Sequence, residues 1–195
     1  MGTEELFEIL DRLEVRLQGH FLLSSGNHSD TYLQCARLYE WPDEAARLSE
    51  ALAAKLRDQG YMPTAVVGPA LGAILVAYEL SRALGVRNLF AERSPEGQLG
   101  LRRSFSVEPG EKIVVVEDVV TTGKSAKETL ELLRSLGAEP IAVASIIDRS
   151  GGKADFGVPF VPLLQVEANL WSPEECPLCK KGMEVVKPGS RKLAG

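Results

Sequence analysis

Residues 112–125 read KIVVVEDVVTTGKS. Ile113–Val116 is an unbroken β-branched run, the mark of a strand buried on both faces. Glu117 and Asp118 follow at once, then small, hydroxyl-bearing residues around Gly123. From Ser125 to Leu136, residues Ala126, Thr129, Leu130, Leu133 and Leu136 recur at helical spacing until Gly137 closes the helix. Strand, turn and helix in that order make a β–α unit, and the turn carries chemistry. A helix N-terminus presents unpaired N–H groups and positive dipole potential, a natural seat for a phosphate. Thr121, Thr122 and Ser125 add hydroxyl donors, and Gly123 lets the backbone approach an anion closely. Two carboxylates beside that seat repel phosphate but suit vicinal hydroxyls or a metal, so a ribose phosphate meets both demands. A plain helix cap is the competing reading, since Asp, Thr and Ser are good cap residues. Neither the G-x-x-x-x-G-K nor the G-x-G-x-x-G loop occurs in this stretch.

Outward from this unit the alternation repeats. Ala65-Val66-Val67 leads into Gly68-Pro69 and a nearly all-apolar helix from Leu71 to Leu84, and Asn88–Ala91 and Ile141–Ile147 are further strand candidates. Strands alternating with helices predict an α/β fold with a central, mostly parallel sheet flanked by helices. Nearer the N-terminus, Leu6, Ile9, Leu10, Leu13 and Leu17 predict one amphipathic helix ending before Gly19. Residues 21–35 read as a loop between two short extended pieces. Ala45, Leu48, Leu52 and Leu56 mark a second helix, ended by Gly60. Ser94–Ser106, with Pro95, Gly97 and Gly100 among charges, reads as a mobile loop.

Composition narrows the classes. A chain of 195 residues suggests one domain with room for a small appendage, and 45% hydrophobic with 25% charged residues is ordinary globular chemistry. The net charge of −5 argues against a nucleic-acid partner, and no run approaches the roughly 20 apolar residues that cross a bilayer. The charged N-terminus is unlike a secretory signal, so a cytoplasmic protein without a membrane partner is expected. Two histidines, His20 and His28, give a nucleophilic hydrolase little to work with, and His28 reads as a polar loop residue. Cys176-Pro177-Leu178-Cys179 is half of a zinc ligand set. The other half could come from a dimer partner's copy, or from Cys35 and a histidine; the simpler reading is a turn with free thiols and no metal. From Trp171 onward basic residues (Lys180, Lys181, Lys187, Arg191, Lys192) outnumber acidic ones, as in a tail or small subdomain.

EDVVTTGKS resembles the phosphoribosyl-pyrophosphate (PRPP) signature of the type I phosphoribosyltransferases. The resemblance implies that Glu117 and Asp118 hold the ribose hydroxyls, while Val119, Val120, Thr121, Thr122, Gly123, Lys124 and Ser125 shape the 5′-phosphate loop. Three further stretches resemble the orotate-using branch: FLLSSGNHSDTYLQ (21–34) over the pyrimidine, VVGPALGAI (66–74) as the pyrophosphate loop, and SIIDRSGG (145–152) as the source of an arginine for the orotate carboxylate. This implies pyrophosphate-loop roles for Gly68, Pro69, Ala70, Leu71 and Gly72, and orotate contacts from Thr121 and Arg149. The implied reaction joins orotate to PRPP, giving orotidine 5′-phosphate and pyrophosphate in de novo UMP synthesis. Mg²⁺ would ride on the pyrophosphate. The family's homodimeric habit, with one subunit's mobile loop covering the other's site, is implied as well. So is a hood made from residues 1–40 and 166–195 around a core of 41–165. This chain differs from many such enzymes in having Ser24 where a lysine is usual and Leu71-Gly72 where Tyr-Lys is usual. Its loop ERSPEGQLGLRRSF (92–105) carries Arg93, Arg102 and Arg103 in place of lysines and a histidine. A purine phosphoribosyltransferase, or a non-catalytic regulator that senses PRPP, are the alternatives.

Overall fold

The computed structural model describes residues 1–23 and 25–188. Ser24, Arg191 and Lys192 lie outside the described residues. The chain runs through α1 (Thr3–Arg12), β1 (Arg16–Leu22), β2 (His28–Leu33), a 3-10 segment (Cys35–Glu40), α2 (Pro42–Asp58), β3 (Ala65–Pro69) and α3 (Ala73–Leu84). It continues through β4 (Arg87–Arg93), β5 (Leu99–Leu101), β6 (Lys112–Val120), α4 (Lys124–Ser135), β7 (Glu139–Asp148), β8 (Phe160–Gln165), β9 (Leu170–Trp171) and the single turn α5 (Pro177–Lys180).

Six strands form the central sheet in the order β5-β4-β3-β6-β7-β8. All are parallel except the edge strand β5, which returns antiparallel on β4. The strands alternate their apolar residues between two cores, as a period of two requires. Val114 and Val116 of β6 pack with α2 and α3, whereas Ile113 and Val115 pack with Ala126, Leu130 and Leu133 of α4. Helices thus cover both faces, the α/β architecture expected from the alternation. A second sheet, β1-β2-β9, joins the N-terminal hairpin to the C-terminal segment.

The elements depart from expectation in four places, each for a local reason. The first helix stops at Arg12, and Leu17 belongs to β1. Leu13 still packs in the core, but Glu14 takes a left-handed backbone (φ 53°) that turns the chain into the strand. β6 runs past Val116 to Val120, so the two acids lie within the strand's end rather than after it. Residues 94–106 are not a plain loop: Leu99–Leu101 pairs with Ala91–Arg93, making a hairpin on the sheet's edge. Finally, β8 (FVPLLQ) gives little strand signal because it contains Pro162; it sits at the other edge, where a missing N–H costs no ladder bond on the open side.

Candidate active site

The order of strands puts the site where the sequence pattern does. From β3 the chain moves to β4 on one side, and from β6 to β7 on the other, so β3 and β6 flank a topological switch point. Open α/β sheets bind ligands outside the carboxyl ends of strands at such a point. Three carboxyl ends meet here: Gly68-Pro69 of β3, Glu117–Val120 of β6 and Asp148 of β7.

The turn after β6 is a cup of about 70 Å³ lined by Glu117 and residues 119–125. Gly123 has a left-handed backbone (φ 73°), and a Cβ there would lie 2.6 Å from the Phe156 ring, so only glycine permits this turn. α4 starts at the next residue, where the first N–H groups of a helix lack intrahelical partners, and its Lys124 and Ser125 line the cup. Thr121, Thr122, Lys124 and Ser125 are exposed around the opening. The β3–α3 loop closes from the other side. A Cβ on Gly72 would come 3.1 Å from an Asp118 carboxylate oxygen, so the bare glycine is what allows the loop to run against the acid. Within that loop the Ala70 N–H donates to the Ala91 carbonyl of β4 at 2.7 Å, and Leu71 is exposed.

Burial and the neighbouring Asp118 charge push the Glu117 carboxyl up to about 8. Burial also raises Asp118, opposed by the Val119 N–H, which donates to its Oδ1 at 2.7 Å. These are acids that lack compensation of their charge within the protein, the condition in which hydroxyl donors or a cation are favoured. The 3-10 segment lies beneath them: burial pushes the Cys35 thiol and the Tyr39 hydroxyl up, and the Asp118 charge adds to both. Tyr39 was not anticipated from the sequence, because nothing in its neighbours marks it as facing the acid pair.

Arg149 sits one residue past β7. Its N–H donates to the Val120 carbonyl at 2.8 Å, which brings it beside the cup. Burial lowers its guanidinium from the usual value, and the Asp30 charge counteracts this. Arg149, Ser150 and Lys153 line a depression of about 390 Å³ with Glu167, Asn169 and Leu170, within the size range of small-ligand pockets. Asp30 of β2 accepts from the Asn169 side-chain amide (2.7 Å) and backbone N–H (3.1 Å), fastening the N-terminal hairpin to the rim. Asp148, fully buried, accepts from the Ser150 N–H at 2.7 Å and fixes the turn that presents Arg149. Lys153, Asp30 and Asn169 were missed. Lys153 stands next to the quoted SIIDRSGG stretch, whereas Asn169 has no local signal at all.

Two of the three loop arginines are engaged with acids. Arg93 pairs with Glu128 of α4 and donates to the Gly97 carbonyl; Arg103 pairs with Glu92 at 3.0 Å and lies over the Phe90 ring. Arg102 follows β5 in the exposed return of the hairpin. The cysteine pair is elsewhere. Cys176 and Cys179 pack against His20 and His28, both buried in the β1–β2 sheet, so His28 is not a loop residue. Cys35 belongs to the core beneath Asp118 and is not part of that group.

This sheet, switch-point cup and glycine-closed loop define a phosphoribosyltransferase, and the phosphoribosyl transferase domain family matches residues 35–169. The chain belongs to that family. A protein named orotate phosphoribosyltransferase from Caldanaerobacter subterraneus subsp. tengcongensis is 54% identical over 99% of this chain and 100% of its own. One of the same name from Thermotoga maritima is 53% identical over 95% of this chain and 98% of its own. The crystal structure of orotate phosphoribosyltransferase from Aeropyrum pernix superposes with a TM-score of 0.72 at 27% identity, covering 83% of this chain and 93% of that one. Within the family, the chain groups with the orotate phosphoribosyltransferases. Among the described residues no helix is long and apolar enough to cross a membrane.

Proposed function

We propose that the protein transfers the ribose 5-phosphate of PRPP to orotate, releasing pyrophosphate, and that its residues divide the work as follows. The helix N-terminus and hydroxyls of residues 121–125 hold the 5′-phosphate. Glu117 and Asp118 accept from the ribose hydroxyls; each hydroxyl bond to a carboxylate offsets part of what burial costs the acid. In the Gly68–Gly72 loop Pro69 has no N–H and the Ala70 N–H is taken by Ala91, so the N–H groups of Leu71 and Gly72 are those that meet the leaving pyrophosphate. Arg149 pairs with the orotate carboxylate, and Thr121 stands between base and phosphate.

The reaction breaks the C1–pyrophosphate bond and forms a bond from C1 to the pyrimidine nitrogen. Positive charge develops on the ribose and negative charge on pyrophosphate, so the residues act by positioning, electrostatics and exclusion of water. Arg93, Arg102 and Arg103 supply charge to the departing anion; arginine stays protonated, so this loop neutralises charge without donating a proton. The donor set suits Mg²⁺: two consecutive carboxylates, Glu117 in the cup and Asp118 against the Gly72 loop, lie beside the anion seat and match a cation that keeps several waters and takes phosphate oxygens as ligands, and Asp118 is the residue that would face it. Bound there, the ion would neutralise pyrophosphate. We also propose a homodimer, supported by an exposed apolar group made of Leu71 in the loop before α3 and Leu75 and Tyr78 on α3, which are 84%, 50% and 55% exposed.

One observation carries the reading: paired, charge-uncompensated acids and an open helix N-terminus share nine consecutive residues at the switch point. The test is pyrophosphate release from PRPP with orotate, hypoxanthine or adenine as acceptor. Orotate alone should support turnover. Turnover of a purine in its place would reassign the base, and no release with any acceptor would favour a sensor over an enzyme.

A further inference from the structure

Outside the active site the described residues hold one other convergence of metal-ligating side chains. His20 of β1, His28 of β2, and Cys176 and Cys179 on either side of Pro177-Leu178 place their ligand atoms within 4.8 Å of one another. We propose that these four residues form a closed, structural zinc site that clamps the C-terminal segment onto the N-terminal hairpin.

The distances carry the argument. Tetrahedral zinc, with Zn–S of about 2.3 Å and Zn–N of about 2.0–2.1 Å, requires N–S edges of about 3.6 Å and an N–N edge of about 3.3 Å. The cysteine sulfurs lie 3.4 Å and 3.7 Å from His20 Nε2, and Cys179 Sγ lies 3.3 Å from His28 Nδ1. The two ring nitrogens are 2.8 Å apart, and opening that edge by about 0.5 Å takes only a small rotation of one imidazole. Two thiolates and two imidazoles select zinc over magnesium or calcium, which prefer oxygen.

The outer partners agree. His20 Nδ1 lies 2.9 Å from the Met183 carbonyl, which can only accept, so Nδ1 carries the proton and Nε2 presents its lone pair to the cluster. One turn of helix, with the Lys180 N–H donating to the Cys176 carbonyl at 3.2 Å and the Gly182 N–H to the Cys179 carbonyl at 2.9 Å, keeps both sulfurs on one side. His20, His28 and Cys176 are buried and Cys179 closes the rim, leaving no open position of the kind a catalytic zinc needs.

The segment itself calls for such a clamp. From Ser172 to Pro188 Cys176 is the one buried residue, so this stretch has no hydrophobic core of its own. Yet it is wound back so that the Val186 N–H donates to the His20 carbonyl at 2.8 Å and its carbonyl accepts from the Leu22 N–H at 2.9 Å. Metal binding supplies folding free energy where apolar burial does not. The same hairpin carries Asp30, the residue fastened to the rim of the Arg149 depression, so the clamp sits behind one wall of the base pocket.

The test uses the untagged full-length protein purified under reducing conditions. Elemental analysis should find about one zinc per chain surviving dialysis. Cobalt exchanged for it should show the visible bands of tetrahedral cobalt with thiolate charge transfer. Cys176 and Cys179 should resist a thiol reagent until zinc is stripped by a strong chelator, whereas Cys35 is shielded by the core with or without metal, and stripping should lower the melting temperature. Cys179→Ser should lose the metal while Cys179→His retains it, which separates ligation from packing if one variant folds poorly. Protein that arrives without metal and takes up no cobalt overturns the proposal. So does a Cys176–Cys179 disulfide in the isolated protein, or metal retained by Cys179→Ser. None of these readouts depends on the transferase activity.

Discussion

The cup at residues 117–125 and the cluster at His20, His28, Cys176 and Cys179 are built on opposite plans. The cup is contiguous: its acids, hydroxyls and helix N-terminus follow one another along the chain, and a single strand–turn–helix unit holds them. The cluster is assembled from residues up to 159 positions apart, brought together by pairing of two terminal segments. The cup leaves its polar groups facing a space; the cluster turns its ligand atoms toward one another. An open arrangement of uncompensated groups can bind and release a substrate, whereas a closed one can only hold the fold together. The difference predicts that damage to the first is read in kinetics and damage to the second in stability.

Asp118→Asn should separate them most sharply. Removing the charge that faces the ribose hydroxyls and the metal-bearing pyrophosphate should lower kcat/KM for PRPP by about 100- to 1000-fold. The melting temperature should stay the same or rise, because burial disfavours this carboxylate's charged form. Steady-state kinetics beside a thermal melt measures both; a variant that melted early but kept its kcat/KM would make the acid a structural cap. Arg149→Ala should come next, raising KM for orotate by about 10- to 100-fold, the worth of a charge-assisted hydrogen-bond pair. KM for PRPP should move far less. If both constants rose together, Arg149 would be acting through the cup and not on the base.

The same contrast explains what was legible in the sequence. Ile113–Val116, the acids and Gly123 declare themselves locally, since the β-branched run, the positive-φ turn and the helix start each need particular residues at adjacent positions. The alternation of strands and helices likewise survives as the parallel sheet. The cluster was only half visible: Cys-x-x-Cys marks a ligand pair, but nothing near His20 or His28 says that the hairpin will face residue 176. That pairing depends on β1–β2 register and on Val186 docking against β1, which are tertiary facts. The end of α1 was misread for a related reason. Leu17 keeps the helical phase by coincidence while serving a strand of period two. Arg93 and Arg103 show the limit in the other direction: the sequence marks them as loop cations, and in the fold both are paired with Glu128 and Glu92. They must exchange those partners to meet an anion.

Gly123→Ala probes the cup's frame and not its charges. The added Cβ meets the Phe156 ring at 2.6 Å on a backbone of φ 73°, so either the ring moves or the turn does. A loss of about 1–3 kcal/mol in unfolding free energy is expected from strain of this kind, together with weaker PRPP binding. Chemical denaturation gives the first and substrate kinetics the second. A stable variant with intact kinetics would mean that the turn does not need its left-handed glycine. This substitution is the case in which the rule of kinetics for the cup and stability for the cluster should fail, because it strikes the cup through its backbone.

Glu117 tests the electrostatic half of the comparison. Its folded value of about 8 lies above the ordinary 4.5, so the folded protein holds this proton more tightly than the unfolded chain does. The stabilising contribution is therefore complete below about pH 4.5, and declines as pH rises through about 8, flattening beyond. In substrate-free, magnesium-free protein this should appear as a fall in melting temperature across that window. Glu117→Gln cannot ionise and should lose that component of the slope while retaining whatever other groups contribute. The diagnostic quantity is the difference between the two pH profiles, near zero at the acid end and growing toward pH 8. Parallel profiles would show that Glu117 is already ionised and compensated in the free protein, and the cup would then resemble the cluster: a set of groups satisfied by one another, with nothing left over for a ligand.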